Sequence, residues 1–337
     1  MAAELDTEEL KGLAARAISP PLVTHLHTAD PSAHVFQGRI YIYPSHDIEG
    51  GVQADDLGSQ YCMEDYHVFR QDTPEAEAVD CGVALHVKDV PWARQQMWAP
   101  DAACKDGRYY LYFPAKRADG IFQIGVAISQ APEGPFKAEP RPIEGSYSID
   151  PAVLADAGEH YMVFGGIWGG QLQKYRDNRF ADSHAEPAAH EPALGPRIAR
   201  LSADMKQFAE APREITILDE RGVPLRADDH ARRYFEGPWL HKYRGRYYLS
   251  YSTGNTHLLC YATADNPYGP YHFQGQILTP VLGWTTHHSI VEFAGRWWLY
   301  YHDAMLSGGL SHLRNMKVVQ MHYDAEGRIQ TLHPYGG

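Results

Sequence analysis

Gly107-Arg108-Tyr109-Tyr110-Leu111-Tyr112-Phe113, a glycine followed by an apolar run rich in aromatic residues, is one of five versions of a single phrase in this chain. The others are Gly38-Arg39-Ile40-Tyr41-Ile42-Tyr43, Gly158-Glu159-His160-Tyr161-Met162-Val163-Phe164, Gly245-Arg246-Tyr247-Tyr248-Leu249-Ser250-Tyr251 and Gly295-Arg296-Trp297-Trp298-Leu299-Tyr300-Tyr301. Successive glycines stand 69, 51, 87 and 50 residues apart. Aromatic-rich runs after a turn glycine read as strands. Internal similarity at roughly 40–50 residues or more, with strands in every unit, is the signature of propeller blades. The fold expected is all-β, a five-bladed β-propeller.

Each turn glycine marks a hairpin, so a strand must precede it. Those strands begin at Asp30-Pro31, Ala99-Pro100, Asp150-Pro151, Glu236-Gly237-Pro238 and His287-His288, which lie 8, 8, 8, 9 and 8 residues before their glycines. Equal offsets in equivalent blades mean equivalent places in space. If these are the inner strands, Asp30, Asp150, Glu236 and His287 gather round the axis at one end.

Composition narrows the class. The 337 residues suit one large domain or two ordinary ones, and five blades at this spacing use nearly all of them. With 42 acidic against 30 basic residues the net charge is −12, which disfavours a nucleic-acid partner. Cys62, Cys81, Cys104 and Cys260 show no CxxC spacing, so neither a disulfide framework nor a zinc ribbon is expected. The acidic N-terminus lacks an apolar signal core, and no run approaches the ~18 apolar residues of a membrane span. The expectation is a cytoplasmic protein with no membrane partner; a homo-oligomer is compatible with the sequence but not specified by it.

Leu5, Leu10, Leu13 and Ala14 recur at helical spacing before Pro20-Pro21, so residues 1–21 read as an N-terminal helical extension and 22–337 as the propeller. The turn Ala131-Pro132-Glu133-Gly134-Pro135-Phe136 recurs as Asn266-Pro267-Tyr268-Gly269-Pro270-Tyr271, a second landmark shared by blades two and four. The longest insertion, 177–196 in blade three, is rich in Ala, His, Glu and Pro. It reads as an irregular surface loop, of a length that also suits a lid or an assembly contact.

Three carboxylates meeting at one point suggest glycosidic chemistry. That reaction needs a proton donor on the departing oxygen and a base or nucleophile on the other face of the sugar. A further carboxylate tunes the donor by like-charge repulsion. The motifs Thr28-Ala29-Asp30-Pro31-Ser32, Trp98-Ala99-Pro100-Asp101, Ser148-Ile149-Asp150-Pro151 and Tyr234-Phe235-Glu236-Gly237-Pro238 resemble the blade starts of glycoside hydrolase family 43, in order and in blade position, from about Leu22 to Leu332. Within that family the chain resembles the compact, single-domain β-xylosidases.

The resemblance implies an inverting mechanism, with Asp30 as general base, Glu236 as general acid and Asp150 holding the acid's pKa and orientation. It implies a divalent cation, calcium, on the axis beside His287, with His288 the second candidate. It also implies Trp98 as a pocket platform and Arg314 as a substrate-binding arginine, and Trp168, between Gly166 and Gly169-Gly170, is placed at the subsite next to the cleaved bond. The activity expected is an exo-acting β-1,4-xylosidase on xylo-oligosaccharides, with α-L-arabinofuranosidase activity beside it on an arabinosyl substrate. The alternatives are an arabinan- or other glycan-directed hydrolase of the same family, a retaining propeller with its first-blade Asp as nucleophile, and a non-catalytic sugar-binding propeller. Taken singly, each acidic residue is also an ordinary hydrogen-bonded residue at a strand start.

Overall fold

The computed structural model describes residues 7–336; Leu5 of the helical pattern lies outside them. After the helix Thr7–Arg16, five antiparallel sheets follow in chain order. Blade one is His27–Phe36, Arg39–Asp47, Asp65–Gln71 and Val79–His86; blade two is Asp101–Lys105, Arg108–Lys116, Phe122–Ser129 and Lys137–Ala138. Blade three is Ala152–Asp156, Glu159–Phe164, Arg197–Arg200 and Arg213–Glu214. Blade four is Glu236–Tyr243, Arg246–Ser252, Leu259–Ala264 and Tyr271–Leu278, with Ile217–Leu218 added in parallel at its outer edge. Blade five is His288–Phe293, Arg296–Asp303 and Asn315–Met321. The first strand of each blade touches the first strand of the next, and the fifth returns to the first. This is the five-bladed propeller.

The repeated phrase turns out to be one turn used five times. Phe36 pairs with Arg39, Lys105 with Arg108, Asp156 with Glu159, Tyr243 with Arg246 and Phe293 with Arg296, each across a two-residue loop. Both loop residues have positive φ: Gln37 and Gly38, Asp106 and Gly107, Ala157 and Gly158, Arg244 and Gly245, Ala294 and Gly295. Two left-handed residues in succession make the type I′ turn, whose twist matches that of the flanking strands. The second shared landmark holds as well, since Gly134-Pro135 and Gly269-Pro270 are both cis.

Blades pack through aromatic faces. Tyr41, Tyr43 and Tyr66 lie against Tyr109 and Phe113 between blades one and two, and Ile40, Ile42 and Phe69 against Trp298, Tyr300 and Met316 between blades one and five. Buried tyrosines fill large volumes at least cost when their hydroxyls find acceptors. Tyr43 donates to the Pro132 carbonyl at 2.7 Å, Tyr112 to that of Met205 at 2.9 Å and Tyr251 to that of Arg232 at 2.6 Å.

The ring is closed by the segment after the helix. The Leu22 amide donates to the Met316 carbonyl (2.9 Å) and the Val318 amide to Ser19 Oγ (3.3 Å), so residues 19–22 line the outer edge of blade five. The C-terminal stretch crosses to blade four, where the Leu332 amide donates to the Ile277 carbonyl at 2.8 Å. In the blade-three insertion, Tyr175–Arg176 and Arg179–Phe180 form a small hairpin, and Glu186 reaches back to Trp168.

Candidate active site

Asp30 lies four residues into its strand and Asp150 and His287 lie just before theirs, so only Glu236 is a first strand residue. In blades one and four the acidic residue reaches the axis where the pairing breaks register. In blade one the pairing shifts between Ala29 and Ser32, and in blade four between Glu236 and Trp239. Each irregularity contains a proline, Pro31 or Pro238, which has no amide to offer the ladder. Asp30 (φ 51°) and Asp150 (φ 57°) are both left-handed, a conformation with a steric cost for a residue with a side chain, and such strain collects at functional sites. Gly237 is left-handed too (φ 63°), and a Cβ there would stand 3.0 Å from the His287 ring. Glycine is required at that position so that the imidazole can approach.

Asp30, Asp150, Glu236 and His287 come together, with the imidazole in their midst. His287 Nδ1 lies 3.3 Å from Asp30 Oδ1, and its Nε2 lies 3.6 Å from both Asp150 Oδ2 and Glu236 Oε1. A small, half-open cavity of about 20 Å³ is bordered by Asp30, Asp150, Gly237, Trp239, His287 and His288.

Each carboxyl has a different environment. Burial pushes the Asp30 carboxyl up, but the charges of Arg314 and His287 and the Ser45 hydroxyl outweigh it and hold the group well below the usual range. Arg314 Nη1 donates to Oδ1 at 3.0 Å and Ser45 Oγ to Oδ2 at 2.6 Å. Asp150 moves the other way. Burial first, then the charges of Glu236 and Asp30, push it up to about 7 against the opposing pull of His287. Its Oδ2 accepts the Gly237 amide at 3.0 Å, which ties it to the backbone beside Glu236. Glu236 is the most open of the three side chains (13 % exposed against 4 % for each aspartate), and its Oε1 accepts from Thr285 Oγ1 at 2.6 Å. Burial disfavours charge on His287, yet the surrounding carboxylates raise it to about 10, so it stands as an imidazolium among them.

The other residues singled out from the sequence lie around this centre. Arg314 is buried, and most of its donors are engaged: Nε and Nη2 hold Asp47 at 2.8 and 2.7 Å while Nη1 holds Asp30. Trp98 is almost covered, packed on Phe122 with its Nε1 on the Tyr61 carbonyl at 3.0 Å. Trp168 is half-buried and stacks on Trp284 at 5.9 Å, with Phe235 edge-on at 5.2 Å, so an aromatic wall rises beside Glu236. His288 faces blade four, its Nε2 2.5 Å from Ser250 Oγ.

Several contributors escaped the sequence reading: Ser45, Asp47, Trp284, Thr285 and His302. His302 Nδ1 accepts the Asp30 amide at 2.9 Å, and its Nε2 lies 2.8 Å from the Thr285 carbonyl. Burial and the Arg314 charge lower it to about 3, so it is neutral, with its proton on Nε2. It thus links the backbone of Asp30 to the residue that holds Glu236. Ser45 and His302 both stand seven residues after their turn glycine, and polar residues at that offset in an otherwise apolar strand were the available signal. Asp101, two residues into its strand start, serves another purpose. Its carboxylate accepts from Ser32 Oγ and from the Val153 amide (2.5 Å), linking blades one, two and three.

One carboxylate fixed in its charged form and a second, more open one across the axis, with a third buried beside it, are the equipment for displacing a sugar leaving group with water. Fold and site together define a glycoside hydrolase. The sequence matches the glycosyl hydrolases family 43 over residues 80–329, and the chain belongs to that family. It is 60 % identical over 324 residues to the xylosidase/arabinosidase 43A of Humicola insolens, covering 93 % of this chain and 99 % of that protein. The GH43_1 enzyme from Xanthomonas citri, solved in complex with xylotriose, is 62 % identical with a TM-score of 0.94 over 98 % of both chains. A β-xylosidase/α-arabinofuranosidase from a compost microbial metagenome, solved with xylotriose in a calcium-free form, is 58 % identical, with a TM-score of 0.93 over 94 % of this chain and 98 % of that one.

Proposed function

We propose that the protein is an inverting, exo-acting β-1,4-xylosidase that releases xylose from xylo-oligosaccharides and also removes α-L-arabinofuranosyl groups. The observation that carries the reading is the placement of Asp30 and Glu236 on opposite sides of the His287 imidazole. The ring and its two contacts limit the separation of the carboxylates to about 9 Å, a ceiling that admits the roughly 6.5–9.5 Å of inversion and the roughly 5–5.5 Å of retention alike, so the choice of inversion rests on the family resemblance. Relatives named for xylosidase and arabinosidase activity, and solved with xylotriose, support the substrate class.

In this mechanism Asp30, kept ionised by Arg314, takes a proton from water as its oxygen attacks the anomeric carbon. Glu236 gives a proton to the glycosidic oxygen as that bond breaks, and the sugar leaves with its anomeric configuration inverted. Asp150 positions Glu236 through the Gly237 amide, and Thr285 fixes its Oε1. The aromatic wall of Trp168 and Trp284 covers the side of the sugar next to the acid.

A divalent cation, calcium by the family resemblance, belongs to the same proposal. The His287 nitrogens stand 3.3–3.6 Å from the carboxylates, beyond the 2.7–2.9 Å of a strong charge-assisted hydrogen bond, and the cavity beside the ring has room for about one water. His287 would hold the ion only after giving up a proton, with water and the carboxylates supplying the oxygens that calcium prefers. The ion would supply positive charge under the carboxylates.

Two measurements test the proposal. Proton NMR of a β-xyloside digest is expected to show the α-anomer of xylose first, and a β-anomer would reject inversion. Glu236→Gln is expected to lose xylobiose hydrolysis by at least a thousandfold while retaining more activity on an aryl xyloside with a good leaving group. Wild-type rates on both would remove the acid assignment.

A further inference from the structure

We propose that His46, Asp65 and His67 form a second metal site, on blade one, for a divalent transition-metal ion such as zinc. His46 lies near the end of the strand Arg39–Asp47; Asp65 and His67 stand two residues apart on the neighbouring strand, so all three project from one face of the sheet. A ligand atom from each falls within 4.8 Å of the other two. His46 Nδ1 is 2.6 Å from Asp65 Oδ1, and the two imidazoles are 5.1 Å apart at an interplanar angle of 72°.

The support around His67 is of the kind that orients a metal ligand. Its Nδ1 faces the Asp80 carboxylate at 3.0 and 3.2 Å, and Asp80 is held from the other side by His25 Nε2 at 3.0 Å. A carboxylate on one imidazole nitrogen draws the proton there, fixes the ring and leaves the other nitrogen with a lone pair. The three side chains are 14–17 % exposed, so an ion can enter a site whose walls are already in place.

The donor set selects the class of ion. Two imidazoles and one carboxylate suit zinc and its neighbours, whereas calcium asks for six or more oxygens. Three protein ligands leave a coordination position for water. Binding requires the proton between His46 Nδ1 and Asp65 to leave, and the 2.6 Å contact to open to roughly 3.3 Å, the edge of a tetrahedron with 2.0–2.1 Å bonds. Because His46 lies between Ser45 and Asp47, which hold Asp30 and Arg314 from the opposite face, an ion here would brace the strand behind the general base.

The test is titration of the chelator-stripped full chain with zinc chloride by calorimetry, with bound zinc counted after equilibrium dialysis. Wild type and His287→Ala should each retain one equivalent at this site, with proton release seen as a dependence of the heat on buffer ionisation. His46→Gln and His67→Gln should weaken that equivalent at least a hundredfold, as should Asp65→Asn, which preserves side-chain shape in case a histidine variant fails to fold. Zinc should raise the melting temperature of wild type and leave that of Asp65→Asn unchanged. Equal zinc affinity in wild type and Asp65→Asn, or no zinc retained by His287→Ala, would overturn the proposal and leave the cluster as a hydrogen-bonded network alone.

Discussion

Arg314 grips two buried aspartates at once, Asp47 through Nε and Nη2 and Asp30 through Nη1, across 267 and 284 residues of sequence. The guanidinium is the main reason that a fully buried Asp30 stays ionised. A lysine keeps the charge but has no fork to span both partners. Arg314→Lys is therefore expected to lower kcat/KM about a hundredfold, near 2.7 kcal/mol. The sign of the pH effect follows from the base: a higher Asp30 pKa moves the acid limb of the kcat/KM profile toward neutral pH. A loss of stability with an unmoved limb would count against this role.

Thr285 offers a milder test of the acid. Its hydroxyl is 2.6 Å from Glu236 Oε1. Thr285→Val should reduce turnover of xylobiose about tenfold, equivalent to one hydrogen bond to a charged or reacting group. The reduction should be smaller for a nitrophenyl xyloside, whose leaving group hardly needs a proton. Equal losses on both substrates would argue that Thr285 acts on something other than proton delivery.

Acid stability should depend on His241. Burial lowers its pKa to about 3; Nε2 meets the Tyr323 hydroxyl at 2.6 Å and Nδ1 has no partner. The unfolded chain takes up this proton near pH 6.5 and the folded chain only near pH 3. Its contribution to stability is thus complete above pH 6.5 and is lost as pH falls through that window, by up to ~1.4 kcal/mol per unit. Denaturant unfolding at several pH values should show a shallower acid decline for His241→Gln than for wild type.

The five hairpin turns make a paired prediction. A Cβ on Gly107 would meet nothing within 4 Å, so Gly107→Ala exposes the backbone preference alone and should cost about 1–2 kcal/mol. Ala157 already bears that strain at φ 51°, and Ala157→Asn should raise stability by a few tenths to about 1 kcal/mol. Thermal melts of the two variants should shift in opposite directions.

Removal of bound divalent metal by a chelator should lower the rate on xylobiose, and added calcium should restore it. His287→Ala should be insensitive to both treatments. An unchanged rate in stripped wild type, with no metal detected, would separate the axial cation from the mechanism.

The blade starts were legible because each is a short local motif at a constant distance from a turn glycine, and the strand pairs themselves are local in sequence. Asp30, Asp150 and Glu236 could be placed on one axis from that count alone. The role of Arg314 was not legible, because its partner Asp47 is set by ring closure and nothing near residue 314 points to it. Thr285 and His302 are ordinary residues until register brings them against Glu236 and Asp30. His46, Asp65 and His67 are dispersed over two strands joined by a loop of irregular length, and only the observed pairing puts them on one face. The 177–196 insertion read as an irregular surface loop of a length that also suits a lid or an assembly contact; its Glu186 accepts from the Trp168 indole at 2.7 Å, beside the aromatic wall.

Closure of the ring by residues 19–22 on the strand Asn315–Met321 has a consequence for the nascent protein. The first blade leaves the ribosome with its aspartate already in sequence, but the arginine that pairs with it follows 284 residues later, beside the strand that seals the circle. The pairing is thereby deferred until the fifth blade has been made, and a polypeptide truncated before Arg314 is expected to lack activity however many of its petals have formed.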